Sequence, residues 1–341
     1  MRLHWNVYCG GGIGVGNHIM SIQIGMIIAY LTKRKLILYL NQPVLFSEKQ
    51  LFITDLFNFQ AEIVYGEIDP SIPKIDADFN ICYTAGSLPS YNFTLGRPVV
   101  DFFSFKQEDI ASSTLNTLGW YSFKIFFDDY KKECVEYLKK AITIKDKFVE
   151  MANEITPMLD SNYSVLVRRG DFINLDFFKQ FTESAENLEY IIYNNFYHYP
   201  INIHSDEKET SFFDVIKNPK NFVTNIINEK FPQLDSCETG MVSYVIASKS
   251  EKFLGNLGST FSNLIQQTRK INGLEEHFRY TFSNISVLNR FGEEIKVNGQ
   301  YTWNQLKLNH WSECNWQREF PECYDTSTEI LDAHELNLNI H

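Results

Sequence analysis

The apolar positions of the first forty residues change period three times. Residues 2–8, Arg2-Leu-His-Trp-Asn-Val-Tyr8, read as a strand. Cys9 to Gly16 holds Gly10, Gly11, Gly12, Gly14 and Gly16 and reads as a loop. His18 to about Thr32 is apolar on most of its faces and predicts a buried helix, closed by Lys33-Arg34-Lys35 at its C-terminal dipole end. Leu36 to Leu40 is an apolar run of strand length. Strand, glycine loop, helix, strand is the opening of a Rossmann-like unit. Further strands are expected at 62–65, 79–83 and 98–103, and helices at 107–120 and 128–156. A second series then begins, with strands at 164–168, 201–205, 221–224 and 252–254. Helical stretches fall between them near 183–195, 209–217 and 238–249. Two such series predict an α/β protein of two Rossmann-like domains facing a cleft. They divide the chain into 1–150, which holds the Gly-rich loop, and 151–341, which ends in a polar tail.

The strand at 164–168 ends on the densest chemistry in the chain, Val165-Leu-Val-Arg-Arg-Gly-Asp171. Arginine offers a permanently charged planar fork that matches phosphate oxygens. Gly170 lets the backbone turn or approach a ligand closely. A buried strand delivering Arg168, Arg169 and Asp171 to its carboxyl end reads as a phosphate-handling site, the alternative being an ion pair at a surface strand end. A second strand end, Ile201-Asn-Ile-His-Ser-Asp206, brings Ser205 and Asp206 to the same edge, unless it is an ordinary βα turn. A third segment, Phe253-Leu-Gly-Asn-Leu-Gly-Ser-Thr-Phe-Ser262, reads as strand, turn and helix start. Ser259, Thr260 and Ser262 there can cap the helix or hold phosphate oxygens; capping needs one of them.

The glycine loop fails two named fingerprints. From Gly12 and Gly14 the third glycine of G-x-G-x-x-G is replaced by Asn17, and no acidic residue precedes Glu48 to hold a ribose. After Gly11 and Gly16 come Asn17 and His18, not the Lys-Ser/Thr of a P-loop. A nicotinamide or flavin enzyme is therefore disfavoured. What remains is a loop whose amides open at a helix N-terminus, suited to a pyrophosphate or a donor sugar, or else simply a tight strand-to-helix turn.

Composition narrows the partners. The net charge of −11 argues against a nucleic-acid partner, which needs concentrated positive charge. An acidic protein that binds an anion must gather its arginines locally. The chain has 44% hydrophobic and 21% charged residues, as a globular protein does, and 341 residues are enough for two cores. Aromatics at 15% can build those cores or sugar-stacking surfaces. Six cysteines without a C-x-x-C pair read as mostly free thiols, and the start at Met1 carries no leader; both point to the cytoplasm. The longest apolar segment, Ile19 to Leu31, is too short to span a bilayer. His310, Cys314 and Cys323 lack a fourth zinc ligand at finger spacing. The one D-x-D, Asp76-Ala-Asp78, leads into a candidate strand and reads as a solvated loop. No metal is expected.

Three of these segments resemble one superfamily, in the same order along about 250 residues. Gly12 to His18 with Ile28 to Leu38 resembles the N-terminal segment of the α1,6-fucosyltransferases. Leu166-Val-Arg-Arg-Gly-Asp171 resembles the H-x-R-R-G/T-D motif of the wider fucosyltransferase superfamily. Gly255 to Ser262 is similar to the G-N-x-x-S-S-F-[ST] segment of protein O-fucosyltransferases. The resemblance implies a GT-B fold, GDP-fucose as donor, inversion at the anomeric carbon and no metal or other cofactor. It implies that Arg168 or Arg169 binds the β-phosphate and assists its departure. Thr260, Phe261 and Ser262 would hold the diphosphate or nucleoside. Gly14, Gly16, Asn17 and His18 would lie near the sugar and a glycan or protein acceptor. His18, Asp171 and Asp206 are the candidate general bases. Leu166 stands where the family has histidine, and Ser243 where an aspartate is frequent, so other groups must supply those contacts. The same fold with another NDP-sugar, and a non-catalytic sugar-nucleotide or glycan binder, are the other readings the sequence admits.

Overall fold

The computed structural model describes residues 1–7, 14–74, 81–82, 90–91, 108–113, 133–167, 185–206, 210–256, 259–274, 277–280, 285–288, 294–297 and 300–302. They form two compact units, one over Met1–Lys145 and one beginning at Asp146. Both are α/β, each built on a mainly parallel sheet.

The first unit holds strand β1 (Arg2–Asn6), helix α1 (Val15–Leu31) and strands β2 (Lys35–Leu40), β3 (Glu62–Tyr65) and β4 (Ile110–Ser113). Its four strands lie in the order β3-β2-β1-β4, all parallel, with Trp5 level with Leu38 and Leu3 with Ile110. α1 is buried around its circumference, including Ser21 and Gln23, as an all-round apolar helix must be. It packs on β1 through Gly25, where a Cβ would come within 2.7 Å of the Trp5 ring. Only a residue without a side chain lets helix and strand approach so closely.

The second unit holds α2 (Asp146–Ile155), β5 (Tyr163–Val167), α3 (Ala185–Phe196), β6 (Ile201–Ser205), β7 (Lys220–Phe222), α4 (Val223–Lys230), α5 (Ser236–Lys249), β8 (Lys252–Asn256), α6 (Thr260–Ile271), β9 (His277–Tyr280) and β10 (Gln300–Thr302). Its sheet runs β7-β6-β5-β8-β9-β10, parallel throughout except for β10. One face is apolar: Val165, Val167, Ile201, Ile203 and Leu254 pack with Leu188, Ile192 and Phe196 of α3. The opposite face carries Ser164, Leu166, Asn202, His204, Phe253 and Gly255, because successive strand residues alternate. α5 is opened by a capping box, Asp235 Oδ1 accepting from the Glu238 N–H at 2.8 Å and Glu238 reaching back to the Asp235 N–H. It is closed by the wholly buried Arg269 of α6, whose guanidinium donates to the Ala247, Ser250 and Glu251 carbonyls.

Several expected elements differ. Ile110–Ser113, expected within a helix over 107–120, is strand β4, because pairing with β1 decides so short an apolar run. The helix expected over 128–156 is split. Residues 133–141 are helical, then Ile142–Ile144 pairs antiparallel with Phe57–Phe59, and α2 follows. The β-branched Ile-Thr-Ile run favours the strand. The helix expected over 209–217 is one 3-10 turn, Thr210–Phe213. The strand expected at 221–224 ends at Phe222, and Val223 opens α4, which the pattern had not shown. The strand expected at 98–103 and the tail lie outside the described residues, as do 83–89 and 114–120.

Candidate functional site

The strand orders locate the site before any side chain does. In the first sheet the direction of winding reverses between β1 and β4, and in the second between β5 and β8. At such a reversal the connections leave to opposite sides, and a crevice opens beyond the strand carboxyl ends. β1 is followed by the glycine loop. β5 is followed in sequence by Arg168-Arg169, and β8 by the Ser259–Ser262 segment. The chemistry-bearing segments therefore follow strands at the two switch points.

In the first unit α1 begins at Val15, with Gly14 extended at its N-cap and no side-chain cap. Gly16, Asn17 and His18 thus lie in its first turn and not in the loop. The first intrahelical bond runs from the His18 N–H to the Gly14 carbonyl at 3.2 Å, so the amides of Val15, Gly16 and Asn17 precede the helical ladder. Asn17 Oδ1 is buried without a hydrogen-bond partner. His18 is 4% exposed, and its Nδ1 lies 3.3 Å from the Gly14 carbonyl oxygen, to which the ring N–H donates. An imidazole so enclosed is poorly placed to take a proton from an outside hydroxyl.

In the second unit Ser259 immediately precedes α6, and its hydroxyl accepts from the Ser262 N–H at 3.2 Å. Ser259 is therefore the cap. Ser262 is fully buried and its own hydroxyl has no partner. Its Cβ lies 3.0 Å from where a Cβ on Gly255 would stand, so Gly255 is what lets α6 sit against β8. Thr260 is half-buried. The Phe261 ring lies 6.2 Å from that of Tyr244 on α5, a packing contact. Ser205, half-buried at the end of β6, donates its hydroxyl to the Val167 carbonyl at 2.9 Å, so its proton is not offered to a ligand. Asp206, the next residue, is exposed.

Arg168, Arg169 and Asp171 lie outside the described residues, as do Gly10 to Ile13, the Asp76-Ala-Asp78 segment, His310, Cys314 and Cys323. Among the described residues no cluster of His, Cys, Asp or Glu has the composition of a metal site. Among them, too, no helix is long and apolar enough to cross a membrane. Cys134 and Cys237 are buried thiols outside any disulfide, and burial pushes the Cys134 thiol up to about 12.

Two residues at this edge were missed by sequence reasoning. His204 is 1% exposed, and desolvation lowers its imidazole to about 3. Its Nε2 lies 3.1 Å from Ser164 Oγ, and its Nδ1 is buried without a partner. It stands directly beside Leu166 in the parallel register. Thr224, at the start of α4, bonds both backbone groups of Ser205. Neither residue belongs to a short motif; strand register places His204, and the turn from β7 into α4 places Thr224.

No known protein-family model matches this sequence, and no curated protein matches it. Solved structures of similar path include POFUT1 in complex with GDP, at 13% identity over 81% of this chain and 97% of that one, TM-score 0.41. A mutant of Arabidopsis thaliana FUT1 in complex with GDP aligns at 9% identity over 82% and 71%, TM-score 0.48. NodZ alpha-1,6-fucosyltransferase co-crystallised with GDP aligns at 10% identity over 87% and 98%, TM-score 0.46.

Proposed function

We propose that the chain is an inverting glycosyltransferase of the GT-B type. It transfers L-fucose from GDP-fucose to a hydroxyl of a glycan or protein. The observation that carries this reading is the winding reversal between β5 and β8. It brings the strand that leads to Arg168-Arg169 next to the strand that leads to the serine-capped start of α6. An arginine pair beside free helix-terminal amides is a place for a diphosphate. In a direct displacement the acceptor oxygen forms a bond to the anomeric carbon as the bond to the β-phosphate oxygen breaks. Negative charge then grows on the diphosphate, and fixed cationic and N–H donors stabilise it there. The acceptor hydroxyl must lose its proton to a base. Of the candidates, exposed Asp206 is better placed than enclosed His18; Asp171 is the third. The first unit, over 1–150, would bind the acceptor beside α1 and the second the donor, in the cytoplasm and without a metal ion.

A thermal-shift series with GDP, UDP, ADP and GDP-fucose tests the donor. GDP and GDP-fucose should raise the midpoint, and UDP and ADP should not. Stabilisation by UDP but not GDP would replace the fucose donor with another NDP-sugar. No response to any nucleotide would remove the glycosyltransferase reading.

A further inference from the structure

We propose that Thr224 and Ser205 are positioning residues that fix the end of β5, and through it the arginine pair that follows. The inference rests on the donor-site reading above and deepens it. β6 loses its outer neighbour early: its pairing with β7 ends at Ile203–Phe222, and the chain turns into α4 at Val223. Among the described residues Ser205, two residues further along β6, has no strand on its outer side, while on its inner side it stays level with Val167 of β5. Thr224 takes the place of that strand. Its Oγ1 accepts from the Ser205 N–H at 3.3 Å and donates to the Ser205 carbonyl at 2.9 Å. On the other side of β6 the Ser205 hydroxyl donates to the Val167 carbonyl at 2.9 Å. β5 is in turn past its paired stretch with β8, which ends at Leu254–Val165. Three side-chain hydrogen bonds thus run from α4 across β6 to the peptide that joins Val167 to Arg168.

A sheet does not need hydroxyls to hold its ladder. The Thr224 and Ser205 hydroxyls come together at the end of β6, beside the end of β5, and that placement calls for an explanation. Charge stabilisation of a departing diphosphate depends on donors already fixed in place. A misplacement of about 1 Å can cost on the order of 10²-fold in rate. Unstrapped strand ends fray, since local opening costs least where backbone bonds are few.

The test uses the full chain with Thr224→Val, Ser205→Ala and the conservative Thr224→Ser. Hydrogen exchange reads the strap without assuming any activity. Thr224→Val should speed exchange at Ser205 and in the peptide spanning Val167 to Gly170, leave α5 unchanged, and be reversed in Thr224→Ser. Steady-state transfer from GDP-fucose reads its purpose. Thr224→Val and Ser205→Ala should each lower kcat about tenfold or more with donor KM within about threefold, the mark of misplacement rather than lost binding. Thr224→Ser should stay within about threefold of the parent in kcat. Unchanged exchange in Thr224→Val, or a Thr224→Ser enzyme as slow as Thr224→Val, would overturn the proposal. Altered exchange in a parent protein that neither binds GDP nor turns over GDP-fucose would leave the strap standing and remove the function it serves.

Discussion

At the scale of single residues, an arginine pair and a buried histidine make opposite demands on charge. Arg168 and Arg169 bring permanent charge to the proposed donor site, and consecutive residues leaving a strand project to opposite sides. One of them should therefore face the diphosphate and the other should not. Arg168→Ala and Arg169→Ala are expected to differ, the more damaging one lowering kcat by about 10²–10³-fold, as removal of a transition-state charge stabiliser does. Equal and mild losses would sink the assignment. His204 avoids charge. Almost wholly buried, it stays neutral because desolvation lowers its pKa to about 3, well below an unfolded imidazole. The unfolded chain then binds the extra proton, so this contribution to stability is complete above about pH 6.5 and is lost as the pH falls towards 3. Between pH 7 and pH 5 the loss should be about 2 kcal/mol. Urea unfolding of the parent and of His204→Asn at the two pH values checks this: the parent should show the extra fall. A parallel fall in both proteins would show that His204 is not its source.

At the scale of elements, close packing decides which glycines matter. A mid-helix Gly→Ala change ordinarily gains about 1 kcal/mol in propensity. In α1 the Cβ of Gly25→Ala would stand 2.7 Å from Cγ of Trp5, a ring held by β1 and bonded through its Nε1–H to Ser21 Oγ. Overpacking of that kind costs about 1–3 kcal/mol, so the substitution should destabilise despite its better propensity. In α5 the corresponding Cβ at Gly240 would meet nothing nearer than the Phe261 Cζ at 4.0 Å, an ordinary contact. Gly240→Ala should therefore stabilise, by about 0.5–1 kcal/mol. Thermal unfolding of the two variants should shift in opposite directions, and a shift in the same direction would contradict the packing argument.

At the scale of the whole molecule, the acidic balance and the arginine pair bear on the same question. A chain of net charge −11 that binds a diphosphate must neutralise it locally. Arginines can supply the positive charge that a divalent ion otherwise gives. Transfer from GDP-fucose should therefore persist in EDTA and gain little from added Mg²⁺ or Mn²⁺. Full loss in EDTA, restored by either ion, would mean that the neutralising charge comes from a metal.

The sequence alone determined where the chain alternates between strand and helix wherever the apolar runs were long: β1, α1, β2, β5, β6, α5 and β8 all stand near their expected bounds. It marked out the segments proposed to carry chemistry, because Arg-Arg-Gly-Asp and Gly-Ser-Thr-Phe-Ser are unusual in composition whatever their surroundings. Local pattern failed where pairing outvoted propensity. Ile110–Ser113 became a strand because β1 had a free edge, and Ile142–Ile144 because Phe57–Phe59 lay opposite. Only the tertiary structure decided what each polar group at the site is free to do. The sequence could read Ser205 as a ligand contact, Ser259 as cap or contact, and His18 as a base. The fold commits the first to the Val167 carbonyl and the second to the start of α6, and encloses the third beside Gly14. His204 acquired its place through strand register, and Thr224 through the turn from β7 into α4. The physical reason is one of range: periodicity records what neighbours in sequence share, whereas the hydrogen bonds from α4 to β6 and from β6 to β5 join residues 19 and 38 positions apart.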